Sequence, residues 1–458
     1  MPHRLIALAF TCLWLSMPAT ARTAQPADLQ AQIDALVRRV EALEADAAAL
    51  RAQAAAAQAD ARAARDELAL ARSASAAMPA QGAAPAADVA ATASSAAASG
   101  ADANAFNPAI SVILNGGYTS HTRDPDGIAR AGFPRIGEGG PAPRGLSLGE
   151  SELSLAASID DRFRGQLTLA VGNEDGEDHV GVEEAYVETM ALPDGFNLRL
   201  GRFHSDIGYL NGRHAHTDSF FDRPLPYQAF LGNQYGDDGV QLRWLAPTDL
   251  YLELGAELFR GAKHPAAGAV HSGTGAKTLF AHAGGDIGTE QAWLAGVSML
   301  KSGADRTDDG FRGDATLYIA DATWKWAPQG NFRDGGVTVR GEYFRELRDG
   351  LYFAPDADID EPLAWHGARS GAYLEAVYRF SRRWDLGYRF DRLWADRGGP
   401  LASAFDPRRN TLELTWRNSE FSLLRLQFAR EEAVADTADT ALTLQYQASL
   451  GAHGAHRF

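Results

Sequence analysis

One stretch concentrates the side chains that could do chemistry. Residues 204–238 read HSDIGYLNGRHAHTDSFFDRPLPYQAFLGNQYGDD. His214 and His216 form an H-x-H pair, with His204, Asp218 and Asp222 close in sequence. In an extended segment both rings of such a pair project to one side. Imidazole together with carboxylate suits zinc or a similar divalent ion. The pattern nominates His204, His214, His216, Asp218 and Asp222 as metal contacts. A plainer role is also open, with the histidines as polar lining or as hydrogen-bond partners that fix the segment. Arg213 and Arg223 could pair with the acids and weaken the local field. His204, Asp206 and Ser219 could be drawn as a hydrolytic set, but no spacing motif supports one, so no enzyme is expected.

The elements that must position this stretch follow from composition and period. The chain has 458 residues and a net charge of -16. That acidity speaks against a nucleic-acid binder, which needs cations to neutralise phosphates. Lysine occurs only at Lys263, Lys277, Lys301 and Lys325. The mean hydropathy of -0.25 is too polar for a bundle of membrane helices. Cys12 is the sole cysteine, so no disulfide framework and no cysteine-ligated metal is possible.

Residues 1–21 read as a secretory signal: Arg4, an apolar run from Leu5 to Met17, and the A-x-A site Ala19-Thr20-Ala21. Residues 28–72 carry a heptad. Ile33 and Val40 fall at a, and Leu29, Leu36, Leu43 and Leu50 at d. Sustained a/d spacing predicts an α-helical coiled coil, placed in the periplasm by the signal. Residues 73–105 are rich in Ala, Ser and Pro and read as a linker.

From residue 106 to 458 the period becomes two. Leu442, Leu444 and Tyr446 alternate with Thr443, Gln445 and Gln447, and Leu250, Leu252, Leu254 with Tyr251, Glu253, Gly255. Strands of about ten residues, apolar on one face and polar on the other, predict a transmembrane β-barrel. Tight connections near Asp160, Pro193, Pro247, Gly288, Pro328, Arg382 and Ser419 alternate with longer ones at roughly 120–146, 174–180, 204–238, 261–276, 301–313, 346–366, 395–407 and 432–438. The expected fold is therefore all-β: a 16-stranded antiparallel transmembrane β-barrel with an N-terminal α-helical coiled coil. The terminal Phe458 fits an outer-membrane barrel.

A barrel of that size encloses an aqueous channel. The polar faces assign Arg199, Arg243, Glu253, Arg340, Glu375, Arg379, Arg389, Glu413 and Arg417 to its lining. Both signs are mixed, so little net selectivity is expected. The third long connection holds too many apolar residues to stand in water, among them Ile207, Tyr209, Phe220, Leu225, Tyr227 and Phe230. It is expected to fold inward and narrow the passage, as long connections without repeats are commonly functional.

The segments VEEAYVET, LPDGFNLRLGRF and GYLNGRHAHTDSFFDRPLPYQAFLGNQYGDDGVQL carry a resemblance. They resemble a group of proteobacterial outer-membrane porin-like proteins, distantly related to the phosphate-selective porin O/P type. Members are often labelled zinc-regulated TonB-dependent outer-membrane receptors. The resemblance implies a passive porin-like channel and a homotrimer, with zinc in transient contact and no resident cofactor. Energised import would need a globular plug ahead of a larger barrel, where this chain has a coil and a linker. Outer-membrane lipid is the expected surrounding, and the coil could touch peptidoglycan or another periplasmic partner. The alternative is a structural outer-membrane protein that tethers the membrane to the cell wall through its coil.

Overall fold

The computed structural model describes residues 108–137, 139–174, 177–266, 273–307, 309–353 and 361–451. The signal, coiled-coil and linker expectations, and Phe458, lie outside the described residues.

Seventeen strands form one sheet. They are β1 (Ala109–His121), β2 (Gly145–Leu148), β3 (Ser151–Ser158), β4 (Phe163–Glu174), β5 (Glu177–Thr189), β6 (Phe196–His204), β7 (Gly236–Leu245), β8 (Tyr251–Phe259) and β9 (Ala276–Ile287). They continue as β10 (Gln291–Ala304), β11 (Phe311–Trp326), β12 (Gly336–Tyr352), β13 (Leu363–Ser381), β14 (Trp384–Trp394), β15 (Arg408–Ser419), β16 (Ser422–Val434) and β17 (Thr437–Gly451). Both β2 and β3 pair with β1, end to end, so the two make one stave and the barrel has sixteen. Every pairing is antiparallel, and β1 closes on β17 from Ser111–Gly451 to His121–Ala441. Closure joins the first and last strands, so among the described residues the sheet has no terminal edge strand.

The alternation decides which face is which. On β17, Leu442, Leu444 and Tyr446 are exposed on the outer surface, while Thr443, Gln445 and Gln447 are buried inside. On β14, Leu386 and Tyr388 face out, and Asp385, Arg389 and Asp391 are buried. A belt of exposed leucine and aromatic side chains around a polar interior inverts the usual soluble arrangement.

The connections depart most from expectation at two places. Residues 174–180 and 432–438 were expected as long loops. Instead β4 runs to Glu174 and β5 resumes at Glu177. Likewise β16 and β17 pair up to Val434–Thr437, with Asp436 at a φ of 58° in the turn. A ladder needs only backbone groups, so polar segments without alternation still extend a hairpin where both faces meet water.

Two irregularities in the ladder bear on function. Between β1 and the β2–β3 stave the register changes by one across Gly149-Glu150. Between β4 and β5, Thr168 lies opposite Glu184 and Leu169 opposite Val182, leaving Glu183 as the extra residue of a bulge. A bulge breaks the strict in–out alternation and re-aims side chains.

Candidate functional site

The connection from β6 to β7, residues 205–235, is held to inward-facing side chains on many staves. Its base is closed by Asn211, which is fully buried. The Asn211 amide donates to the Ser205 and Tyr235 carbonyls, 2.7 Å each, and its carbonyl oxygen accepts the Tyr235 N–H at 2.7 Å. Ser205 donates to Glu257 on β8. The Gly208 N–H reaches Ser298 on β10 at 3.0 Å. Tyr209 and Leu210 donate their backbone N–H groups to Glu342 on β12 at 3.0 and 3.3 Å.

A short helix, α1 (Leu225–Leu231), follows within the same connection. Pro226 in its first turn needs no backbone donor there, and Gly232 supplies the left-handed residue that ends it, with φ at 58°. All seven residues of α1 are buried. Phe230 packs on Phe344 of β12, with ring centres 6.0 Å apart, and on Phe133 of the β1–β2 connection at 5.8 Å. Arg130 of that same connection binds Gln228 at 2.8 Å and Glu431 at 2.6 Å. The apolar residues singled out in the sequence thus have a partner: Ile207, Leu210, Leu225, Tyr227, Phe230 and Leu231 form one cluster with wall residues such as Phe259, Phe344 and Tyr373.

The histidines nominated by spacing come together. The ring centres of His204 and His214 lie 5.5 Å apart, and those of His214 and His216 5.6 Å apart. The acids that meet them are different from those expected. Glu152 is the second residue of β3, and Glu183 and Glu184 sit at the β5 bulge. His214 Nδ1 lies 3.0 Å from Glu152 Oε2 and 3.4 Å from Glu183 Oε2. Its Nε2 hydrogen-bonds to Glu184 Oε2 at 3.0 Å. His216 Nδ1 hydrogen-bonds to Glu152 Oε1 at 2.7 Å. His204 Nε2 stands 3.5 Å from Glu183 Oε1. Burial alone would lower the His214 pKa. The three carboxylates outweigh it and hold the ring well above its ordinary value. Glu150 lies beside Glu152 and Glu183 and adds a further acid to the group.

Asp218 and Asp222 are elsewhere. Asp218 pairs with Arg223 at 2.7 Å. Asp222 is held by Arg389 at 3.0 Å and Arg409 at 2.7 Å. Burial would raise the Asp222 carboxyl, but these two guanidinium groups bring it down to about 2. Both aspartates are therefore ion-pair partners of arginine, whereas the acids that meet the histidines are Glu152, Glu183 and Glu184. Sequence proximity had favoured the aspartates. An acid thirty or sixty residues away, delivered by a neighbouring stave, leaves no local signal apart from the VEEAYVET segment itself.

The residues assigned to the lining face inward. Arg199 lies 3.2 Å from Glu188, and Arg243 lies 3.6 Å from the same acid. Arg340 binds Glu375 at 2.8 Å. Arg379 and Arg417 both bind Asp385, each at 2.7 Å. Arg389 joins Asp391 to Asp222. Glu413 accepts from Thr415. Glu253 pairs in register with His282. The mixed charges neutralise one another locally, so no single-sign track runs along this set. Asp206 accepts from Gln241 at 3.0 Å and lies 3.7 Å from Arg243. A cavity of about 200 Å³ lies on the turn side of the 205–235 segment, between His216, Asp218, Arg417, Arg425 and Gln447.

No protein-family model matches the sequence. An uncharacterized protein of Aquifex aeolicus (strain VF5) is 29% identical over 396 residues, covering 77% of this chain and 80% of its own. Among solved structures, the chain is similar to the outer membrane channel DcaP of Acinetobacter baumannii. That match has a TM-score of 0.48, 11% identity, and covers 75% of this chain and 97% of that one. It is also similar to an anion-selective porin from Comamonas acidovorans, with a TM-score of 0.49 and 12% identity over 75% and 99% of the two chains. A trimer form of OmpT from Vibrio cholerae gives 0.49 and 11% over 75% and 99%.

Proposed function

We propose that this protein is an outer-membrane porin. It lets small polar solutes and ions, including divalent metal ions or their chelates, diffuse passively through a barrel narrowed by residues 205–235. The observation that supports this reading is the closed sixteen-stave barrel, apolar outside and charged inside. Lipid tolerates only a closed barrel with an apolar outer face, and a polar interior of this size is a route for water and ions. The contacts of residues 205–235 with β8, β10, β12, β14 and β15 support placing the constriction there. The balanced arginine–carboxylate pairs support weak ion selectivity. The resemblance to porin-like proteins supports a homotrimer, with the coil in the periplasm. The protein carries out no covalent chemistry in this reading.

The test is planar-bilayer conductance of the full chain in KCl. Stepwise openings in multiples of three, with near-equal cation and anion permeability, are expected. Absence of any conductance, both for the native chain and for a Tyr227→Phe variant that loosens the constriction, would overturn the reading. That outcome would favour a structural tether instead.

A further inference from the structure

We propose that His204, His214, Glu152 and Glu183 form a binding site for a divalent transition-metal ion, and that the ion fastens the 205–235 segment to the barrel wall. It deepens the porin reading, on which only its gating consequence rests.

The geometry is that of ligands rather than of hydrogen-bond partners. His214 Nδ1, Glu152 Oε2, Glu183 Oε2 and His204 Nε2 are all buried, and none of the four has a hydrogen-bond partner. Yet they crowd together, at 3.0 Å, 3.4 Å and, through the second Glu183 oxygen, 3.5 Å. Ligand atoms about 2.0–2.1 Å from a tetrahedral ion stand about 3.3 Å from one another. The observed spacings bracket that value. His204 is only 7% exposed, and neither of its ring nitrogens is hydrogen-bonded. A buried imidazole without a partner is costly, and a cation between it and Glu183 would remove that cost.

Supporting groups are also in place. Histidine ligands commonly pass their second nitrogen to a carboxylate, which fixes the ring. Glu184 does this for His214 at 3.0 Å. His216 holds the other oxygen of Glu152 at 2.7 Å. Both bulges serve the site. The β5 bulge turns the adjacent Glu183 and Glu184 to the same side, and the shift across Gly149-Glu150 precedes Glu152. Two imidazoles with two carboxylates suit zinc and its neighbours in the first transition row, whereas calcium and magnesium prefer oxygen alone.

The site would couple metal to the channel because its ligands come from both sides of the contact between the segment and the wall. His214 belongs to the connecting segment, while Glu152 and Glu183 belong to the wall. A metal bound across them would hold the segment closed.

The test is titration of the purified full chain with zinc against a chromophoric chelator, alongside cobalt absorption in the visible range. One tight equivalent per chain, with a tetrahedral cobalt spectrum, is expected. His204→Ala and Glu183→Gln should each weaken zinc by about 100-fold or more, and His216→Ala by about 10-fold, in line with a supporting partner. His366→Ala, at an exposed histidine outside the cluster, should leave binding unchanged. Retained heat-modifiable mobility on gels shows that each variant is folded. No tight equivalent in the native chain, or unchanged affinity in both folded ligand variants, would overturn the proposal. Zinc binding without conductance would leave the site standing and defeat the channel reading. Conductance without zinc binding would do the reverse.

Discussion

Tyr227 of α1 donates its phenolic O–H to the Glu342 carboxylate of β12 at 2.9 Å, and its oxygen accepts the Leu210 N–H at 3.0 Å. Glu342 also accepts from Tyr373 at 2.6 Å and from two backbone N–H groups of the 205–235 segment. One buried wall carboxylate therefore organises the segment. Tyr227→Phe removes a donor from that carboxylate and an acceptor from Leu210, at a cost of about 1–3 kcal/mol. The expected outcome is a lower urea midpoint and a larger or noisier single-channel step. A variant matching the native chain in both would count against this anchoring role.

Gly208 sits beside the same carboxylate, with φ at 63°. A Cβ there would stand 2.5 Å from Glu342 Oε2 and 2.9 Å from the Tyr227 hydroxyl. Gly208→Ala should thus combine left-handed strain with a clash, destabilising the segment by about 1–3 kcal/mol. Limited proteolysis between residues 205 and 235 should become faster, while the barrel core remains protected. Native-like resistance would show that the segment is held mainly by other contacts.

Asp222 gives the segment an acid dependence. Its folded pKa of about 2 lies below the ordinary 3.8. The stabilisation is complete above about pH 4 and lost as pH falls through about 2. From the shift it amounts to about 2 kcal/mol. Acidification should therefore increase conductance fluctuations in that window. Asp222→Asn should fluctuate already at pH 7, because Arg389 and Arg409 lose a shared partner, and should show less further change on acidification. An identical acid profile in both proteins would exclude Asp222 as the source.

Asn211 makes three bonds that close the base of the segment. Asn211→Ala leaves two buried carbonyls and an N–H less satisfied, at a cost of about 2–4 kcal/mol in total. Hydrogen exchange at Tyr235 should accelerate by at least 10-fold. Unchanged protection would mean the Ser205–Tyr235 backbone bond suffices.

Leu444 lies at the middle of β17 and faces outward. Leu444→Arg places a charge where the hydrocarbon should be deepest and should cost about 2–4 kcal/mol in a bilayer. The readout is the urea midpoint of vesicle-folded protein. A variant as stable as the native chain would argue that this face does not meet lipid.

The sequence alone determined the barrel and its two faces. A strand's side chains alternate by backbone geometry, so Leu442, Leu444 and Tyr446 had to share one surface and Thr443, Gln445 and Gln447 the other. It also placed Arg199, Arg340 and Arg389 inside. Local pattern could not mark the ends of hairpins, because backbone pairing carries β4 to Glu174 and β16 to Val434 through polar residues that do not alternate. Nor could it choose the acids that meet His204 and His214. Asp218 and Asp222 were nearer in the chain, but Arg223, Arg389 and Arg409 claimed them. Glu152 and Glu183 reach the histidines only because the staves β3 and β5 lie under the segment, and because a bulge turns Glu183 inward beside Glu184. Both depend on register between distant strands, which is settled when the barrel closes.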